Sequence, residues 1–168
     1  MTIILIFTFA CNEEPPVAPD PNPDMGCKVE GEINLNYESA KGFIGSTSDE
    51  RFQLFFSSYK VIDGIEYGLI VSLFPKNIAD TNGIFPIIHY TNEKPDSNFA
   101  WAAFVVENGK PNEIQFWADS GQVNMTKIII GEKTNQLKGT FYFRAYDKKT
   151  KTKMVKITDG WVDFEQKF

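Results

Sequence analysis

The sequence predicts an all-β fold, an antiparallel β-sandwich or small β-barrel of about eight to nine strands, and three observations predict it. Apolar residues recur at every second position through most of the chain, as expected of a pleated sheet with one face buried. Turn-forming pairs punctuate these runs at short intervals. No window carries apolar residues on the 3.6-residue period of a helix, so the crossover helices that parallel sheets need are missing.

The first strand is expected around Cys27, with Val29, Ile33 and Leu35 in phase with it. Phe52, Leu54 and Phe56 then alternate with Gln53, Phe55 and Ser57, and Tyr67, Leu69, Val71 and Leu73 alternate with Gly68, Ile70 and Ser72. Phe99, Trp101, Ala103 and Val105 recur in step, as do Ile114 with Phe116 and Val123 with Met125. Leu137, Phe141, Phe143 and Ala145 mark a long strand, and Val155, Ile157, Val162 and Phe164 mark the last one. These runs are rich in aromatic and β-branched residues, which suit a half-buried pleated surface. Asp63-Gly64, Asn82-Gly83, Asn108-Gly109, Ser120-Gly121 and Asp147-Lys148-Lys149 read as the turns between them. The stretch from Pro75 to Tyr90 reads as a long loop with a helical turn, because Pro75 and Pro86 cannot donate to a central ladder. Gly139 falls on the inward side of its strand, and Gly160 suits a bulge with positive φ that turns Val162 and Phe164 onto the core.

Residues 1–10 form an uncharged apolar run ending in Ala10-Cys11, too short for the roughly 20 residues of a membrane-spanning helix. It reads as the apolar core of an export signal of the lipoprotein type, with a trimmed ordinary signal or a buried first strand as the alternatives. Residues 11–24 hold five of the nine prolines and four carboxylates, with no basic residue. Such a stretch buries too little apolar surface to offset its ordering entropy and is expected to be an extended tether. Residues 25–168 are then a single β domain, a length that sustains one hydrophobic core.

The formal net charge of −5 argues against a nucleic-acid partner, since phosphate-backbone binding is built from clustered Lys and Arg. With Cys11 lipidated, Cys27 has no disulfide partner within the chain, and its in-phase position makes it a buried, inert hydrophobe.

Signal, cysteine, acidic residues and spacer together resemble the lipoproteins of the Bacteroidetes, which implies acylation of Cys11 and an outer-membrane lipoprotein facing outward. Residues 123–128 (Val-Asn-Met-Thr-Lys-Ile), 138–145 (Lys-Gly-Thr-Phe-Tyr-Phe-Arg-Ala) and 156–164 (Lys-Ile-Thr-Asp-Gly-Trp-Val-Asp-Phe) resemble the closing strands of an uncharacterised lipoprotein domain family from that group. Gly26-Cys27-Lys28-Val29-Glu30-Gly31 is similar to its opening. The resemblance implies address and β architecture, and the family has no established activity to carry over.

Candidate chemistry is sparse. The single histidine, His89, lies in Pro-Ile-Ile-His-Tyr with no nucleophile turn in the sequence, and it reads as a strand-end or loop residue. No second His or Cys stands at zinc-ligand spacing, and Asp80-Thr81-Asn82-Gly83 begins like a calcium loop without its closing Glu. Glu30 with Glu32 and Asp159 with Asp163 are expected on solvated strand faces rather than across a catalytic cleft. Lys148, Lys149, Lys151, Lys153 and Lys156 cross the last hairpin, where they solvate it and guard strand edges or dock on anionic headgroups or an acidic partner. Thr140, Tyr142, Arg144 and Tyr146 alternate to the outward side of one strand. Tyr142, Arg144 and Tyr146 form the candidate binding face, with cross-strand packing as the alternative.

The expectation for function is a non-catalytic cell-envelope lipoprotein that binds or scaffolds glycan or protein, attached to the membrane through a lipid anchor on Cys11. No cofactor, metal or catalytic residue is expected. A small β-barrel carrier of an apolar ligand, suggested by the 15 phenylalanines, is the alternative, and a hydrolase with an unrecognised site is third.

Overall fold

The computed structural model describes residues 24–30, 33–37, 41–46, 52–77, 82–89, 95–131 and 134–167. The apolar run, Cys11 and the tether up to residue 23 lie outside the described residues, as do Glu32, Asp80 and Thr81. The fold is all-β. The strands are β1 (Met25–Val29), β2 (Ile33–Tyr37), β3 (Lys41–Ser46), β4 (Phe52–Ile62), β5 (Ile65–Phe74), β6 (Gly83–Ile88), β7 (Phe99–Val106), β8 (Ile114–Ile130), β9 (Thr134–Asp147) and β10 (Met154–Lys167).

Ten strands stand where eight or nine are expected, and the difference is instructive. Cys27, Val29, Ile33 and Leu35 belong to two strands rather than one, because the chain turns at Glu30 (φ 53°) and β1 pairs with β2. The phase still holds for Cys27, Val29 and Leu35, all buried, with Cys27 opposite Leu35 in the ladder. Glu30 therefore leaves the strand face assigned to it and sits in the turn, its N–H donating to the Lys156 carbonyl at 2.7 Å.

All ten strands belong to one sheet in the order β2-β1-β10-β9-β8-β6-β7-β5-β4-β3, with β7 also pairing with β8. The ladder is open rather than closed into a barrel, with β2 and β3 at its edges. It curls strongly. β4 and β9 are separated by four strands in the ladder, yet the Phe56 and Phe141 rings meet at 5.9 Å between centroids. At one rim Lys60 Nζ reaches across from β4 to the Asn36 carbonyl of β2 at 2.8 Å.

The curled sheet encloses one core in which Leu54, Phe56, Leu69, Val71, Leu73, Phe85, Phe104, Val123, Met125, Phe141, Phe143, Ile157 and Val162 are almost wholly buried. Cys27 joins this cluster, and burial pushes its thiol up to about 12, so it is an inert packing residue. The Asp63-Gly64 turn is a two-residue hairpin loop with positive φ at both positions (51° and 79°) between paired Ile62 and Ile65, the type I′ geometry that matches strand twist.

The structure assigns a side to one alternating set and corrects three expectations. The in-step set Phe99, Trp101, Ala103 and Val105 lies on the outer face of β7, while Ala100, Ala102 and Phe104 enter the core. Both faces of β7 are covered: Phe99 stacks on Phe74 at 4.7 Å, and Ala103 and Val105 are buried, so alternation carries no information about side. The expected loop from Pro75 to Tyr90 contains β6, in which Pro86 faces Gln122. β6 has a full ladder to β8 but only the pair Ile87–Ala100 toward β7, which leaves a side where a missing N–H is tolerated. Ser120-Gly121 is no turn but a bulge within β8, where the register shifts between Ala118 and Ser120 and Gly121 has φ 144°. The β10 bulge is present between Ile157 and Gly160, but its positive φ belongs to Asp159 (50°) rather than to Gly160.

Candidate functional site

The outer face of β8, β9 and β10 carries the candidate residues. β9 alternates strictly: Leu137, Gly139, Phe141, Phe143 and Ala145 face the core, so Lys138, Thr140, Tyr142 and Arg144 point out and are exposed. Tyr146 follows on the same side, half-buried. The ladder fixes their neighbours. Tyr146 stands between Trp117 of β8 and Met154 of β10, Arg144 between Ser120 and Lys156, and Thr140 between Asn124 and Trp161.

The bulge in β8 decides what Arg144 meets. Ala118 pairs with Ala145 and Ser120 with Arg144, so Asp119 is the extra residue and its carboxylate turns outward beside the guanidinium. Arg144 Nε donates to Asp119 Oδ1 at 3.1 Å and its terminal nitrogen to Oδ2 at 3.0 Å, a fork-on-fork pair. The Ser120 hydroxyl adds a third hydrogen bond to Oδ1 at 2.9 Å. Partial desolvation pushes the Asp119 carboxyl up. The hydrogen bonds from Arg144 and Ser120, with the guanidinium charge, outweigh it and hold the group below the usual carboxylate range.

Aromatic rings border this pair. The Arg144 guanidinium lies 5.5 Å from the Tyr146 ring centroid, and Lys148 Nζ sits 4.1 Å from that of Trp117, both within cation–π reach. Trp117 in turn meets Trp101 edge-on at 5.6 Å. These cross-strand contacts hold Trp117 and Tyr146 in place, whereas Tyr142 is 54% exposed.

Three open depressions adjoin along β9. One of about 360 Å³ is lined by His89, Trp117, Asp119, Tyr146 and Lys151. On the other side of the Arg144–Asp119 pair, about 380 Å³ lies among Ser120, Tyr142, Arg144, Lys156 and Thr158. Beyond Tyr142, about 510 Å³ is bordered by Thr140, Thr158, Asp159 and Trp161. The two tyrosines and Arg144 therefore share one continuous outer surface, and the structure adds Trp117, Asp119, Lys151 and His89 to it. His89 is the exposed residue following β6, and the pairing of β6 with β8 brings it to this end of the groove. The sequence signal for Trp117 is its alternation with Phe116 and Ala118; Asp119 depends on a bulge that alternation hides.

The other candidate groups stay apart from this surface or are tied up. Asp159 pairs with Lys28 at 2.9 Å, and Asp163 pairs with Lys138. Asp147 accepts from the backbone N–H groups of Lys149 and Thr150 and from the Thr150 hydroxyl, which holds its carboxyl below the usual range and fixes the β9–β10 turn. Among the described residues no three His, Cys, Asp or Glu side chains gather as a metal site. The surface offers rings for stacking, cations, hydroxyls and two carboxylates, Asp119 and Asp159, already committed to Arg144 and Lys28. No protein-family model, curated protein or solved structure matches this chain.

Proposed function

We propose that this chain is a non-catalytic cell-envelope lipoprotein, anchored to the outer membrane through a lipid on Cys11, whose outer sheet face along β9 binds glycan at the cell surface. One observation carries the reading: Tyr142, Arg144, Tyr146 and Trp117 border adjoining open depressions of about 360 and 380 Å³ on a single sheet face. Aromatic rings flanked by hydroxyls and charged donors suit a ligand with alternating apolar faces and hydroxyl edges, and a sugar has that character. A hydrolytic role draws no support here, since the one carboxylate in the depression with His89 is held by Arg144. Support for an apolar-ligand carrier is weak for another reason: Phe56, Phe85, Phe104, Phe116, Phe141, Phe143 and Phe164 all fill the core.

The test is glycan-array and pull-down binding by the wild type and by the Tyr142→Ala/Tyr146→Ala double variant. The reading expects retention on glycan that the double variant loses, while its thermal midpoint falls by less than about 10 °C because these rings lie outside the core. Wild type that recovers no glycan, or a larger thermal loss, would sink it.

A further inference from the structure

We infer that the groove along β9 selects acidic saccharides, whose successive sugar rings sit against Tyr142 and Tyr146 and whose acid groups are met by Lys156 in one depression and Lys151 in the other; this inference rests on the glycan-binding reading above.

The charge arrangement carries it. The chain as a whole is acidic, at −5, yet each depression beside the Arg144–Asp119 pair has a lysine in its lining, Lys151 in one and Lys156 in the other. Three carboxylates of the β8–β10 face are already engaged: Asp119 with Arg144, Asp159 with Lys28 and Asp163 with Lys138. Neither Lys151 nor Lys156 is within ion-pair distance of a carboxylate among the described residues. Lys148 stands over Trp117 and adds to the same field. Arg144 spends two of its five N–H donors on Asp119, and the rest remain for a ligand at the boundary between the two depressions.

A neutral sugar would use the rings and hydroxyls but leave this positive field unanswered. A bare polyanion would use the lysines but not the rings. An acidic sugar answers both, and the run from Tyr142 to Tyr146, about 13 Å at 3.3 Å per strand residue, spans more than one ring of a chain.

The test measures retention of the full-length protein on immobilised polygalacturonate, alginate and hyaluronan, on the carboxyl-reduced form of each, and on polyglutamate of matched charge. The inference expects binding to at least one acidic polysaccharide and none to its reduced form. It also expects a loss of about tenfold or more in Lys151→Gln/Lys156→Gln, as when charge-assisted hydrogen bonds are removed, and a comparable loss in Tyr142→Ala. Equal binding to acidic and reduced polymers would overturn the acid selectivity and leave glycan binding standing. Binding to polyglutamate as strong as to any glycan, insensitive to Tyr142→Ala, would make the surface a plain cationic patch and overturn the inference. No binding to any polysaccharide, acidic or reduced, would sink both readings.

Discussion

Arg144 on β9 grips Asp119 on β8 through two nearly parallel hydrogen bonds of 3.1 and 3.0 Å, and the pair is possible only because the bulge in β8 adds one residue opposite an otherwise regular strand. The pair divides the outer groove in two and fixes the guanidinium over Tyr146.

Its stability contribution has a definite pH dependence. The folded Asp119 carboxyl titrates below its ordinary range, so its contribution is present above the unfolded value of about 3.9 and is lost as pH falls through the lower folded value. Asp119→Asn should lower stability by about 0.5–1 kcal/mol at pH 7, the upper range for a surface pair of good geometry. The gap between wild type and variant should close as pH falls from about 4 toward 2, measured by urea midpoints across that range. A gap that is constant down to pH 2 would mean that the charge on Asp119 contributes nothing.

Gly160 is required by its neighbour rather than by its own backbone. A Cβ there would overlap the ring of Phe141 and crowd its backbone carbonyl, while the left-handed residue of the bulge is Asp159. Gly160→Ala should therefore cost about 1–3 kcal/mol through overpacking. Combining it with Phe141→Leu should cost less than the sum of the two single changes, since the smaller side chain vacates the contested space. Additive costs in a denaturation double-mutant cycle would argue against this contact.

Cys27 should be silent to thiol reagents. With burial at 96% and its thiol raised to about 12, it presents almost no thiolate at neutral pH. In a Cys11→Ser background, labelling by a chromogenic disulfide reagent should proceed only at the rate of global opening and accelerate in urea in parallel with the loss of structure. Rapid labelling of the native protein would place the thiol at the surface.

The proposed lipid anchor on Cys11 is testable apart from the proposed binding face. Two or more acyl chains, each contributing about 0.8 kcal/mol per buried CH₂, should hold the mature chain in the membrane fraction, where one chain alone is marginal. Cys11→Ser should leave the protein uncleaved or release it in soluble form with the same circular dichroism. Mass spectrometry of the N-terminal peptide should find acylated Cys11. An unmodified Cys11 with wild type in the soluble fraction would remove the lipoprotein assignment.

The sequence alone determined the fold class and most of the inward set. Where one strand face is buried and the other exposed, as along Leu137, Phe141 and Phe143, a period of two leaves only one assignment of sides. It likewise placed Tyr142, Arg144 and Tyr146 together on an outward face, because that grouping depends on alternation within one strand. Tertiary structure decided the rest, for reasons that do not lie in local pattern. β7 is covered on both faces, so its period had two equivalent readings. β6 takes Pro86 because its ladder is complete on one side only. The bulge that aims Asp119 at Arg144, and the strand order that carries His89 to the same groove, arise from pairing between segments distant in the chain, and alternation within a strand holds no record of its partners.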